Sequence, residues 1–83
     1  MSSITITMRL FGAFRKYGER IEFSVAGGSS VSTIKVALAG VLDETVGGLI
    51  ADSAIANDEE ILPGDYVIDD NAGLSILPPV CGG

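Results

Sequence analysis

Ile4-Thr5-Ile6-Thr7-Met8-Arg9-Leu10, ITITMRL, alternates without a break. Ile4, Ile6, Met8 and Leu10 fall on one side and Thr5, Thr7 and Arg9 on the other, the period of a strand with one face buried. Ile21-Glu22-Phe23-Ser24-Val25 repeats the pattern. Gly12 and Arg15-Lys16-Tyr17-Gly18 lie between the two runs as a polar turn, so the spacing predicts an antiparallel hairpin. Ala26-Gly27-Gly28 then interrupts the strand, and Ser29 or Ser30 is placed to cap a helix. Val31, Ile34, Leu38, Val41 and Leu42 follow at helical spacing, predicting one amphipathic helix over about residues 30–42, weakened near its end by Gly40.

The remainder is shorter-grained. Gly47-Gly48 argues against a second long helix in residues 43–53, and Ser53-Ala54-Ile55-Ala56 reads as a short strand. Pro63-Gly64 is a turn dipeptide, Asp69-Asp70-Asn71-Ala72-Gly73 a loop, and Leu74-Ser75-Ile76-Leu77 a last strand with Leu74 and Ile76 inward. A helix of this length cannot bury its apolar stripe alone, so it should lie across one face of the sheet. The expected fold is α+β: a mixed sheet with one main helix packed across one face. First and last strands side by side would run parallel, and the chain would leave the sheet beside the end of strand one.

Composition narrows the function. The chain has 83 residues, 47% hydrophobic and 19% charged, which suits a single small globular domain. No apolar run approaches the roughly 20 residues that cross a bilayer, and MSSITITMRL lacks the layout of a secretory signal. A cytoplasmic protein, with no membrane partner, is expected. With one cysteine and no histidine, a zinc site and an internal disulfide are disfavoured, as are Ser–His and Cys–His nucleophile pairs. Gly27-Gly28-Ser29-Ser30 has no lysine behind it and is no phosphate loop. An enzyme acting alone is therefore disfavoured, and no bound metal or cofactor is expected.

Charge is segregated. All five basic residues lie in residues 1–35 with two acids, a net of +3, and the other nine acids lie in residues 36–83 with no base, a net of −9. Nucleic acid is a poor partner for such a surface, whereas a basic groove on another protein would attract and orient it.

The C-terminal residues are Leu77-Pro78-Pro79-Val80-Cys81-Gly82-Gly83. Pro78 and Pro79 have no N–H and favour polyproline geometry, so the sheet stops there. At ~3.1 Å per residue, the six residues from Pro78 would project roughly 19 Å as a flexible tail beyond a domain of residues 1–77. Gly82 and Gly83 can enter a channel that excludes side chains. The terminal carboxylate is ionised and inert as an acyl group until another protein activates it, most simply with ATP as an acyl-adenylate.

With that tail, the chain resembles the MoaD/ThiS family of ubiquitin-like sulfur carriers. The likeness runs from the opening strand into Leu10-Phe11 and Phe14-Arg15, through the helix and Asn57, to Pro78-Pro79-Val80-Cys81-Gly82-Gly83. Pro-Pro-Val-x-Gly-Gly favours the MoaD branch, the small subunits of molybdopterin synthase. The resemblance implies a β-grasp fold and a role as carrier. An E1-like (MoeB-like) adenylating enzyme would use Mg-ATP to adenylate Gly83. Sulfur from a cysteine desulfurase or rhodanese-type donor would displace AMP and leave a thiocarboxylate. The molybdopterin synthase large subunit (MoaE-like) would then pass that sulfur to cyclic pyranopterin monophosphate. Gly83 would carry the sulfur and Gly82 would give it passage. Phe11, Leu77, Pro78, Pro79, Val80 and Cys81 would face partners, and every catalytic residue would belong to them. Two departures stand out: Asn71-Ala72 replaces the family's Gly-Asp turn, Asn being able to take a left-handed turn conformation, and Cys81 replaces a small residue.

Rival functions share the same tail chemistry. They are a ubiquitin-like modifier joined to lysines through Gly83, and a carrier for thiamin synthesis or tRNA thiolation. In a plain binding module, Gly-Gly would be incidental.

Overall fold

A computed structural model describes residues 3–79. Strand β1 (Ser3–Leu10) leads through a 3-10 turn (Gly12–Tyr17) into β2 (Arg20–Ala26). Then come β3 (Ser29–Ser30), helix α1 (Val31–Leu42), a second 3-10 turn (Glu44–Val46) and helix α2 (Gly47–Asp52). β4 (Ala54–Ala56), β5 (Ile61–Leu62), β6 (Val67–Ile68) and β7 (Ala72–Leu77) complete the chain. The main sheet has the order β2-β1-β7-β4-β5, and β3 pairs with β6 in a separate two-stranded ladder.

The alternation in β1 dictates the layering. Ile4, Ile6, Met8 and Leu10 are all buried, and Phe23, Leu74, Ile76, Ile55 and Leu62 join them on the same face of the sheet. Helix α1 closes that face with Val31, Ile34 and Leu38. Each such aliphatic side chain stabilises the fold by about 1.5–3 kcal/mol over leaving it in water. Ser30 is the residue that caps the helix, its Oγ accepting from the Thr33 N–H at 3.2 Å. The first free amides of α1 are met from outside: Val31 N–H donates to the Tyr66 carbonyl and Ser32 N–H to the Gly64 carbonyl, both at 2.9 Å.

The hairpin is antiparallel, from Ser3 opposite Ala26 to Arg9 opposite Arg20, as its two alternating runs predict. β1 and β7 are parallel neighbours, also as expected. Four details differ from the sequence reading. The segment between β1 and β2 is not a plain polar turn, because Phe14 at its centre is fully buried and plugs that end of the core. Val41 is 44% exposed: it lies in the last turn of α1, where Leu42, Val46 and Leu49 pack against the core instead. β7 begins at Ala72, inside the expected loop, because Ala72 already finds a partner in Ile6 of β1. Finally, the turn before β7 uses no left-handed residue, since no non-glycine residue among those described has positive φ. Asn71 acts through its side chain instead, its Oδ1 accepting from the Thr5 N–H at 2.8 Å.

The segment that Gly47-Gly48 left unclear holds only a six-residue helix, anchored by buried Ile50 and closed by Ser53, whose Oγ donates to the Leu49 carbonyl at 2.7 Å. Asn57 Oδ1 accepts from the Glu59 and Glu60 amides, both at 2.8 Å, and so turns β4 into β5.

Leu38→Ala should lower the unfolding free energy by about 2–5 kcal/mol in denaturant titrations, against less than about 0.5 kcal/mol for exposed Val41→Ala. Asp43 gives a pH test. Its Oδ1 accepts from the Thr45 N–H at 3.0 Å, and this bond, the Thr45 hydroxyl and the charge of Lys16 hold its carboxyl below the usual range. A depressed folded-state value stabilises above the unfolded-state value and is lost as pH falls through the folded one. Asp43→Asn should therefore lower Tm at neutral pH, with the deficit shrinking below about pH 4 in thermal melts.

Candidate functional site

Parallel pairing sets Leu10 beside Ile76, so the C-terminal ends of β1 and β7 leave the sheet together. Phe11 stays extended, at φ −128° and ψ 160°, and carries the β1 alternation one step further. That step sets it on the face opposite the core, on the same side as Arg9 and in line with Leu77. Gly12 then turns with φ +58°, a left-handed conformation that side chains disfavour. The same glycine seats the next residue of the tail: a Cβ on Gly12 would lie 2.6 Å from Pro78 Cγ. The tail is thus held at its root by a proline ring against a bare backbone. Pro78 is half-buried there and Pro79 is exposed.

Around this root the outer face of the sheet is mixed. Phe11 and Leu77 are half-buried and belong to neither the core nor the side chains packed against it. Small Ala54 stands opposite Leu77 on β4 and leaves its side open. The next row across the sheet is Arg20, Arg9, Ser75, Ala56 and Ile61, the last 62% exposed. The Arg9 guanidinium carbon sits 6.0 Å from the centroid of the Phe11 ring, within cation–π range. Beside it a hollow of about 170 Å³ is lined by Arg9, Leu10, Phe11, Arg15, Glu19 and Arg20.

Phe11, Leu77, Pro78 and Pro79, all singled out from the sequence, are therefore brought together at one end of the domain. Val80, Cys81, Gly82 and Gly83 lie outside the described residues. Sequence reasoning treated Gly12 only as a turn residue and missed its seat for Pro78. It also missed Ile61, although Ile61-Leu62 is itself an out–in pair. Charge is the larger surprise. The chain's acidic excess pointed to a basic groove as partner, yet Arg9, Arg15 and Arg20 line the hollow beside the tail root. Asp58, Glu59 and Glu60 lie beyond β4, and Asp69 and Asp70 precede β7, all toward the other end of the strands. Glu19 lines the arginine hollow and Lys16 faces the field of Asp43.

Among the described residues, no three His, Cys, Asp or Glu side chains are grouped to hold a metal ion. No helix there is long and apolar enough to cross a membrane. Among the described residues no nucleophile–base pair adjoins this end of the sheet, which offers the Phe11–Leu77 face, the Pro78 seat and the arginine-lined hollow.

Gly12→Ala should cost roughly 1–2 kcal/mol from the left-handed backbone alone and displace Pro78 as well. Denaturant unfolding measures the first, and the chemical shifts of Pro78 report the second. Phe11→Ala and Leu77→Ala, by contrast, should each change stability by less than about 1 kcal/mol, since neither side chain belongs to the core.

The fold is shared widely. The chain superposes on the solution structure of the HVO 2177 protein of Haloferax volcanii with a TM-score of 0.77 at 24% identity, covering 98% of this chain and 88% of that one. A putative molybdopterin converting factor subunit 1 from Pyrococcus furiosus matches with a TM-score of 0.76 at 18% identity, over 93% of this chain and 99% of that one. SAMP1 of Haloferax volcanii matches at 0.75 and 19% identity, over 95% and 99%. At these identities the likenesses show the β-grasp, ubiquitin-like fold. Among curated protein sequences there is no significant match. The family profile described as the ThiS family matches residues 8–83, nearly the whole sequence and the glycine pair with it. The chain belongs to the ThiS family.

Proposed function

We propose that this protein is a sulfur carrier whose Gly83 carboxylate is adenylated, converted to a thiocarboxylate and used as the sulfur source of a molybdopterin synthase. The observation that carries this reading is the ThiS family match, which runs through to Gly83. Activation is needed because a carboxylate is a poor acyl donor. Attack of its oxygen on the α-phosphorus of ATP expels pyrophosphate and makes the carbonyl carbon electrophilic. The outer sulfur of the donor's cysteine persulfide then adds to that carbon and AMP departs. Thiols reduce the resulting acyl disulfide, leaving as a disulfide themselves and releasing the thiocarboxylate and the donor cysteine. The partners implied are an E1-like adenylating enzyme using Mg-ATP, a desulfurase or rhodanese-type donor, and a synthase large subunit. Phe11 and Leu77 would meet these partners, with Gly82 and Gly83 threading their active sites. The Pro-Pro-Val preface and the likeness to a putative molybdopterin converting factor subunit support the synthase branch.

The likeness to SAMP1, a small archaeal modifier protein, favours a second reading, conjugation of Gly83 to lysines of other proteins. Intact mass of the protein purified from its host separates the two. A carrier shows one oxygen replaced by sulfur, and a modifier yields isopeptide-linked peptides ending in this tail. One alanine added after Gly83 and not trimmed should abolish both outcomes, and retention of either by that variant contradicts the reading. Phe11→Ala or Leu77→Ala should weaken binding to the adenylating enzyme about tenfold or more while Tm barely moves, as measured by calorimetric titration.

A further inference from the structure

Arg9 and Arg20 stand directly opposite each other on β1 and β2. Like charges in that position cost stability within the fold. Arg15 adds a third guanidinium to the hollow that they line, and Glu19 is the one acid among its lining residues. With about 170 Å³, this hollow is smaller than the ~300–1,000 Å³ pockets that hold drug-sized ligands or cofactors. It has room for the ends of one or two carboxylate side chains, for which the planar fork of arginine is the best donor among the side chains. The hollow adjoins Phe11, whose ring is under the Arg9 guanidinium, and Phe11 is in line with Leu77 at the tail root.

The geometry points to a docking site in which Arg9 and Arg20, assisted by Arg15, receive an acidic patch on the adenylating enzyme beside the channel that takes Gly83. This rests on the carrier reading above and adds the chemistry of the partner surface to it. Charge complementarity selects the occupant. The protein carries −6 overall, so an acidic surface repels it in most orientations and attracts it only where the arginines cluster. Asp58, Glu59, Glu60, Asp69 and Asp70 lie toward the far end of the strands, and Arg9, Arg15 and Arg20 outnumber Glu19 and Asp52 at the tail end. The field of this sheet face therefore turns the domain tail-first into such a patch. Steering of this kind raises association rates by about 10–10³ and weakens with salt.

The test is stopped-flow association with the adenylating enzyme of the same host, at low and at high salt. Arg9→Glu sets a carboxylate opposite Arg20, so Tm should hold or rise while association at low salt slows by about fivefold or more. Arg9→Glu/Arg20→Glu should slow it further, and added salt should narrow the gap to wild type. Lys35→Glu on the helical side removes the same charge as Arg9→Glu and should leave the rate within about twofold. A smaller effect of Arg9→Glu overturns the proposal, as does equal slowing by Lys35→Glu, which would mean net charge alone matters. Wild-type binding with unaffected arginine variants overturns this inference only. Failure of the wild type to bind or be adenylated overturns the carrier reading with it.

Discussion

The parallel pairing of β1 with β7, from Ile6 beside Ala72 to Leu10 beside Ile76, joins residues 66 positions apart, and the rest of the structure depends on it. Parallel neighbours cannot be joined by a tight turn, so the chain must cross over between them, and here α1 lies on that crossover. The crossover brings Val31, Ile34 and Leu38 down on the buried face of the sheet. The same pairing sends the end of the last strand out beside the end of the first. Burial and presentation of the tail therefore have one cause.

The two faces of β1 divide the work. Its inward row carries the core, while its outward row, extended through Phe11, becomes the margin of the tail root. Pro78 against Gly12 ties the tail to that margin, so a partner that takes the tail meets Phe11, Leu77 and the arginine hollow at once. The sequence has no histidine, and among the described residues no set of metal ligands is grouped. In the proposed docking, the segregation of charge acts at longer range than these contacts and turns the arginine hollow toward the partner.

Local pattern was enough for much of this. Unbroken alternation in residues 4–10 and 21–25 marks the hairpin, because a period of two suits only a strand with one wet face. The Ser29-Ser30 pair and the spacing of Val31, Ile34 and Leu38 mark α1 for the corresponding reason at a period of 3.6, and the structure selects Ser30 as the cap. The failures have physical causes. β3 and β6 are two residues each, too short for any period to register, and exist because each pairs with the other. Ala72 looks like a loop residue until β1 supplies its hydrogen-bond partner. Val41 fits the helical stripe, but its burial depends on what lies under the last turn of α1. Phe14 sits in a polar stretch, and only the closed core reveals the gap that it fills.

By itself, the sequence determined the class of fold, the position of the main helix and the halt of the last strand at Pro78-Pro79. Those follow from side-chain periodicity and from backbone limits that act within a few residues. Tertiary structure alone decided that Gly12 seats Pro78, that Phe11 aligns with Leu77, and that an arginine-lined hollow lies beside the tail root of an acidic protein. Each of these depends on which strands become neighbours and in what register. Register is settled by burying one face of the whole sheet at once, and no short stretch of sequence contains that sum.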